Sequence, residues 1–196
     1  KSWTLVNSSA TPTMFFDDPG EDRFGGSLDF DGRNDRLSYN LNSDYDFVDN
    51  AGGYLVSALV NFDDLSLPSG GTQVLVGNAD ASGFSLELHR SSSTFSDTNL
   101  RFGVRINGSY RYVEVDADNF NGTDSYQITG AYDGDGYLRL MVNNEEWARS
   151  GPWTGDVTVS DSPIVVGADP QGSSSTRFHF DGKIQQVNVQ AWANHR

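Results

Sequence analysis

The sequence predicts an all-β fold, an antiparallel β-sandwich or jelly roll of two packed sheets, and three observations carry that expectation. Apolar and polar residues alternate along about twelve short runs at regular spacing. Turn chemistry separates those runs, with 21 glycines among 196 residues. No run as long as about ten residues carries the apolar period of a helix.

The length suits one domain with a substantial core, expected over residues 24–192. A net charge of -14 argues against a nucleic-acid partner, because a phosphate-binding surface would work against repulsion by the whole molecule. Cysteine is absent, so no disulfide or thiolate metal site can form. No stretch approaches the ~20 apolar residues of a spanning helix, so no membrane insertion is expected. The chain begins at Lys1 without a basic-then-apolar segment, and the expectation is a monomeric piece of a larger protein, secreted or on a cell surface.

Residues 1–24 open on a candidate edge strand at Trp3, Leu5 and Val6 and pass into turn chemistry at Pro12 and Asp17-Asp18-Pro19-Gly20. In the next stretch Leu28 and Phe30 share one strand face, Asp31-Gly32 supplies a turn, and Leu37 with Tyr39 continues the apolar face. Residues 43–53 read as a polar connection with room for one helical turn. A strand apolar on both faces at its start follows at 54–62. Strands at 73–77 and 83–90 come next, the second turning Phe84, Leu86 and Leu88 one way and Ser85, Glu87 and His89 the other. At 100–106 Phe102, Val104 and Ile106 face inward with Arg101 and Arg105 outward, and Asn107-Gly108 turns the chain into a strand at 110–116. Residues 126–132, 137–142 and 145–149 form a three-stranded meander. Strands at 163–167 and 178–191 close the chain, separated by a polar loop at 168–177.

Four phrases in this order resemble a known family. Gly26-Ser-Leu-Asp-Phe-Asp-Gly32 with Asp35, Tyr132-Asp-Gly134 followed by Leu138-Arg-Leu-Met-Val-Asn143, Pro163-Ile-Val-Val-Gly167, and Phe180-Asp-Gly-Lys-Ile-Gln-Gln-Val-Asn-Val189 are similar to the motifs of laminin-G-like, or concanavalin A-like, jelly-roll domains of the bacterial type. Two places depart from the pattern: Gln185-Gln186 stands where that family has Asp-Glu, and Ser125-Tyr126 where it has Trp-His. The resemblance implies two antiparallel sheets with the first and last strands adjacent, and in many members a calcium ion and a glycan-binding or adhesive task. The implied ligands are Asp31, Asp35 and Asp181, from two Asp-Gly turns that adjacent end strands would bring together. Carbonyls near Gly25 and Gly182 would add to them. Asp-Gly also marks a turn for local reasons alone, since Gly accepts positive φ and Asp caps backbone N–H groups.

Several glycan-cleaving enzymes share this sandwich. Jelly-roll glucanases place carboxylates as E-x-D-x-x-E, and Glu114-Val-Asp116-Ala-Asp118 lacks the last, with Asn119 in its place. The strand motifs of alginate lyases on this fold are missing as well, so no catalytic residues are expected. All basic residues except Lys1 and Lys183 are Arg, which grips carboxylate or sulfate in a way Lys cannot. The candidate ligand-binding residues are Arg105, Tyr112, Tyr137 and Arg139 on the outward face of the central strands, with Tyr110 and Trp147, and Trp153 beside them, near hairpin ends, a platform for a polysaccharide or glycan, acidic ones included. Arg on an exposed strand also pairs with a neighbouring carboxylate for only about 0–1 kcal/mol. The expected function is a non-catalytic, lectin-like carbohydrate-binding module with a structural calcium. The alternatives are a protein-interaction, adhesion or spacer module, and a glycoside hydrolase or polysaccharide lyase with an atypical site.

Overall fold

The computed structural model describes residues 13–15, 23–24, 27–39, 48, 52–79, 82–92, 97–158, 160, 162–171 and 175–192. The expected strand at Trp3, Leu5 and Val6 lies outside them, as do Gly25, Gly26 and most of 43–53. Among the described residues sixteen strands run in chain order: β1 Thr13–Phe15, β2 Arg23–Phe24, β3 Ser27–Asp31, β4 Arg36–Tyr39, β5 Tyr54–Phe62, β6 Thr72–Gly77, β7 Phe84–Arg90 and β8 Thr98–Ile106. Then follow β9 Ser109–Asp116, β10 Tyr126–Tyr132, β11 Leu138–Val142, β12 Glu145–Ser150, β13 Ile164–Val166, β14 Asp169–Gln171, β15 Ser175–Arg177 and β16 Asp181–Ala191. One sheet has the order β12-β11-β10-β5-β16-β3-β2, the other β1-β4-β13-β6-β7-β8-β9, and β14 pairs with β15 as a separate ribbon. The result is an antiparallel β-sandwich, as the alternation predicts.

Each sheet turns one side chain in two toward the other sheet. Phe84, Leu86 and Leu88 on β7 and Leu100, Phe102, Val104 and Ile106 on β8 are fully buried, with Val56, Val60, Ile128, Leu138 and Leu140 from the opposite sheet. Phe180 packs edge-on against Phe30, 6.3 Å between ring centres, and against Phe62 at 6.1 Å. These three rings lock the ends of the chain into one core. Contact between the sheets is close: a Cβ added at Gly130 on β10 would lie 2.2 Å from a ring carbon of Phe102 on β8.

The end strands are neighbours, with Asp31 opposite Asp181 and Leu28 opposite Ile184. A register shift between Ile184 and Gln186 interrupts the pairing of β16 with β5. Gln185 sits at that shift and donates from Nε2 to Asn61 Oδ1 and Ser125 Oγ, each at 3.4 Å. The two departures from the family pattern, at 125 and 185, therefore touch each other. Asn107 and Gly108 have φ of 49° and 73°, the left-handed pair that a two-residue hairpin requires.

Three expectations change. Residues 168–177, expected as a loop, hold the β14–β15 hairpin; Pro170 and the serine-rich tip hide its alternation. Thr13–Phe15, expected within turn chemistry, pairs with β4 as an edge strand. The last strand begins at Asp181, because Phe178 has a φ of 55° and breaks the extended run before it.

Replacing Gly130 with Ala is expected to lower stability by about 1–3 kcal/mol, since the Phe102 ring must leave its place. Gly52→Ala, where nothing lies within 4 Å, serves as the control and is expected to stay within about 0.5 kcal/mol of the parent. Denaturant melts of the two variants check this; equal midpoints would show that the sheets are less tightly packed than described.

Candidate functional site

The outward residues of β7, β8 and β9 should face solvent, yet several are covered. Glu87 is 6 % exposed and Ser85 3 %, and across from them stand the β14–β15 ribbon and Phe178. A cleft of about 130 Å³ opens between them, lined by Thr72, Ser85, Glu87, Arg101, Tyr110, Tyr112, Asp169, Arg177 and Phe178, with Ala79 at one end.

Two ion pairs frame the cleft. On its floor Arg101 Nε donates to Glu87 Oε1 at 2.5 Å, and the Ser85 hydroxyl donates to Glu87 Oε2. On its wall Arg177 Nε donates to Asp169 Oδ2 at 3.0 Å. Both guanidiniums are anchored through Nε, which leaves their Nη donors for another acceptor. The Arg101 guanidinium lies 4.1 Å from the centre of the Tyr112 ring. That ring lies across Gly103, where a Cβ would come within 2.5 Å of it, so only glycine on β8 lets the tyrosine lie down. Tyr110 stacks on Tyr112 at 6.0 Å and 22° between planes, and its hydroxyl donates to the carbonyls of Ala79 at 3.0 Å and Ser82 at 2.5 Å.

Titration behaviour follows from this packing. Burial, then Asp169 and Tyr112, pushes the Tyr110 phenol well up, with Arg105 opposing. Burial also raises Tyr112, against the pull of Arg101. Both stay protonated donors at neutral pH. His89, whose Nδ1 lies 3.0 Å from Thr72 Oγ1, is held below its usual value by burial and then by Arg101. The cleft thus combines flat rings, fixed donors and fixed acceptors, and its two ion pairs cancel in charge. That mixture can stack on a sugar ring and bond its hydroxyls.

The six residues of the expected platform fall into two groups. Tyr110 and Tyr112 line the cleft, and Arg105 lies beside it with its guanidinium 5.7 Å from the Tyr110 ring. Tyr137, Arg139 and Trp147 belong to the other sheet's side of the sandwich. There Arg139 pairs with Glu146 at 3.0 Å and Asp133 at 3.6 Å and sits over Trp192 at 5.3 Å, while Arg149 also bonds Glu146 and lies 5.9 Å from Tyr137. Trp147 stacks on Phe120 at 5.5 Å. Alternation tells inward from outward but does not say which sheet a strand joins. Ser85, Glu87, Arg101, Asp169, Arg177 and Phe178 were not expected at the site. Only the alternation of Ser85 and Glu87 against the apolar face of β7 hinted at them.

Of the implied calcium ligands, Asp31 and Asp181 are cross-strand partners. Asp35 is 1 % exposed and turned inward, its Oδ2 accepting the Asp31 N–H at 3.1 Å, while Asp31 Oδ1 accepts the Arg33 N–H at 2.8 Å. Among the described residues no group of three or more Asp, Glu or His side chains is placed to hold a metal ion. Two carboxylates are fewer donors than the six to eight oxygens calcium takes. The seam is strongly acidic: burial, then Asp63, Asp64, Asp31 and Asp29, raises the Asp181 carboxyl above its usual value. Lys183 answers part of that charge, 3.2 Å from Asp29 and 3.3 Å from Asp63. Glu114 and Asp116, the partial glucanase motif, lie on an exposed face, and Asp116 Oδ1 caps the short 3-10 turn by accepting the Asp118 N–H.

No protein-family model matches the sequence, and no curated protein matches it. Solved structures do share the fold. The receptor-binding domain of the botulinum neurotoxin C/D mosaic serotype matches with a TM-score of 0.67 at 16% identity, covering 94% of this chain and 44% of that one. The serotype D ligand-binding domain in complex with N-acetylneuraminic acid gives 0.63 at 15%, covering 93% and 43%. A type C neurotoxin structure, described with cell entry dependent upon interaction with two ganglioside molecules, gives 0.63 at 11% over the same shares. At these identities the likeness is one of fold, and the chain spans less than half the length of those proteins.

Two outcomes test the electrostatics. Glu87→Ala leaves Arg101 in the cleft floor without its carboxylate and is expected to cost about 3 kcal/mol in a denaturant melt; a loss below about 0.5 kcal/mol would show that the pair is incidental. A carboxyl whose pKa is higher in the folded chain than in the unfolded one costs stability above that value, and the cost fades as pH falls through it. Asp181→Asn is therefore expected to melt higher than the parent at pH 7, with the gap closing as pH falls through the raised value and gone once pH reaches the ordinary carboxylate value. A gap constant in pH would contradict the raised value.

Proposed function

We infer that the protein is a non-catalytic carbohydrate-binding module, that the cleft on the outer face of β7, β8 and β9 is its binding site, and that it belongs to a secreted or surface protein. The observation that carries this is the stacked pair Tyr110 and Tyr112 lying flat beside the anchored Arg101–Glu87 and Arg177–Asp169 pairs. Sugars offer apolar ring faces and ranks of hydroxyls, and aromatic rings beside planar charged groups are the matching chemistry. The fold shared with toxin domains described with N-acetylneuraminic acid and gangliosides supports a glycan as the partner. The four family phrases support a laminin-G-like module.

A structural calcium at the seam of β3 and β16 is the finer part of the proposal. Asp31 and Asp181 would supply two oxygens, and carbonyls and water the rest. The carboxylate repulsion on Asp181 supports it, since a cation there would relieve that repulsion. Melting with added calcium and with chelator separates the cases. A midpoint raised by calcium is expected by mass action, and one midpoint in both solutions removes the ion from the account.

Titration calorimetry against a panel of neutral and acidic oligosaccharides tests the cleft. At least one of them is expected to bind, with Tyr112→Ala weakening it about tenfold or more and Arg139→Ala, on the other sheet, leaving it unchanged. Loss of binding in the Arg139 variant alone would move the site to the opposite face.

A further inference from the structure

The residue at the rim of the cleft, Phe178, is not accounted for by folding. It is 40% exposed, and with Trp147 it is one of the two large hydrophobic side chains exposed among the described residues. Its φ is 55°, and the other non-glycine residues at positive φ among the described residues are Asn107, Asn143 and Asn144. Asparagine tolerates that region; for a bulky side chain it is a strained conformation, the kind kept where surrounding structure enforces it.

The enforcement is visible on both sides. The Val74 N–H donates to the Phe178 carbonyl at 2.8 Å, and the Phe180 N–H donates to the Gly167 carbonyl at 2.9 Å, while the Phe180 ring is locked in the core. The kink has a consequence for side chains. In an unbroken strand Arg177 and Phe178 would point to opposite faces. Here both line the same cleft, and the Arg177 guanidinium lies 4.7 Å from the centre of the Phe178 ring. Glycine would hold the same backbone without strain, so the fold itself has no use for the ring.

We propose that Phe178 is the stacking platform of the cleft: its exposed ring takes the apolar C–H face of a hexopyranose unit at the rim, opposite Tyr110 and Tyr112. The left-handed backbone is the device that presents it there. This rests on the carbohydrate reading of the cleft. Arg177, anchored by Asp169, braces the ring and keeps its Nη donors beside the sugar's hydroxyls.

Calorimetric titration of the parent, Phe178→Ala, Phe178→Gly and Phe178→Trp against cellohexaose, maltohexaose and sialyllactose tests this, together with thermal melts of the same four proteins. The Ala and Gly variants are expected to lose about tenfold or more in affinity for whichever oligosaccharide the parent binds, and the Trp variant to stay within about threefold. The Gly variant is expected to melt above the Ala variant by about 2 °C or more, the reverse of the order at an ordinary backbone position. Unchanged affinity in Phe178→Ala overturns the platform while leaving the carbohydrate reading intact. A Gly variant melting below the Ala variant overturns the presenting strain. A parent that binds none of the three overturns both.

Discussion

The Glu87–Arg101 ion pair is the contact on which the outer face of the β6–β9 sheet depends. Taking two charges out of water costs several kcal/mol per ion, and only close geometry with further hydrogen bonds offsets it. Both conditions are met, by the 2.5 Å bond between the partners and by the Ser85 hydroxyl on the second carboxylate oxygen. Arg101, so fixed, holds the Tyr112 ring flat; Tyr112 carries Tyr110; and Tyr110 ties down the chain at Ala79 and Ser82. One charged pair thereby sets the floor, the aromatic wall and one end of the cleft.

The opposite sheet shows what the same residue types do without a ribbon across from them. Arg139 and Arg149 share Glu146, and Arg139 reaches Asp133, at the more open surface where ion pairs contribute little. The difference lies in the β14–β15 ribbon. By carrying Asp169 and Arg177 across from Glu87, it turns part of a flat sheet face into a concave site. The chain carries -14 overall, and the two pairs in the cleft are each neutral.

Much of the fold was legible in the sequence. The period-two run 100–106 places Phe102, Val104 and Ile106 inward, and the family resemblance implies the neighbouring end strands seen in the pairing of Asp31 with Asp181. The site was legible only in part. Tyr112 stands out as an outward aromatic and Tyr110 as one near a hairpin end, but Glu87 and Ser85 read as solvated, and the far wall of their cleft comes from residues about eighty positions later. The hairpin that supplies it has only three residues per strand and includes a proline, too little alternation to register. Phe178 reads as the start of the last strand, since no sequence pattern announces a phenylalanine in a left-handed turn.

On the proposed reading the glycan sits between β7–β9 and the ribbon, not on the other sheet and not at the acidic seam. Backbone amide chemical shifts followed by NMR during titration with a mixed oligosaccharide pool test that directly. The account predicts that the largest shifts map to Ser85, Glu87, Arg101, Tyr110, Tyr112, Arg177 and Phe178, with Leu59, Gln186 and Asn188 on the outer face of the other sheet unmoved. Shifts concentrated on Leu59, Gln186 and Asn188, or around Asp31 and Asp181, would contradict it.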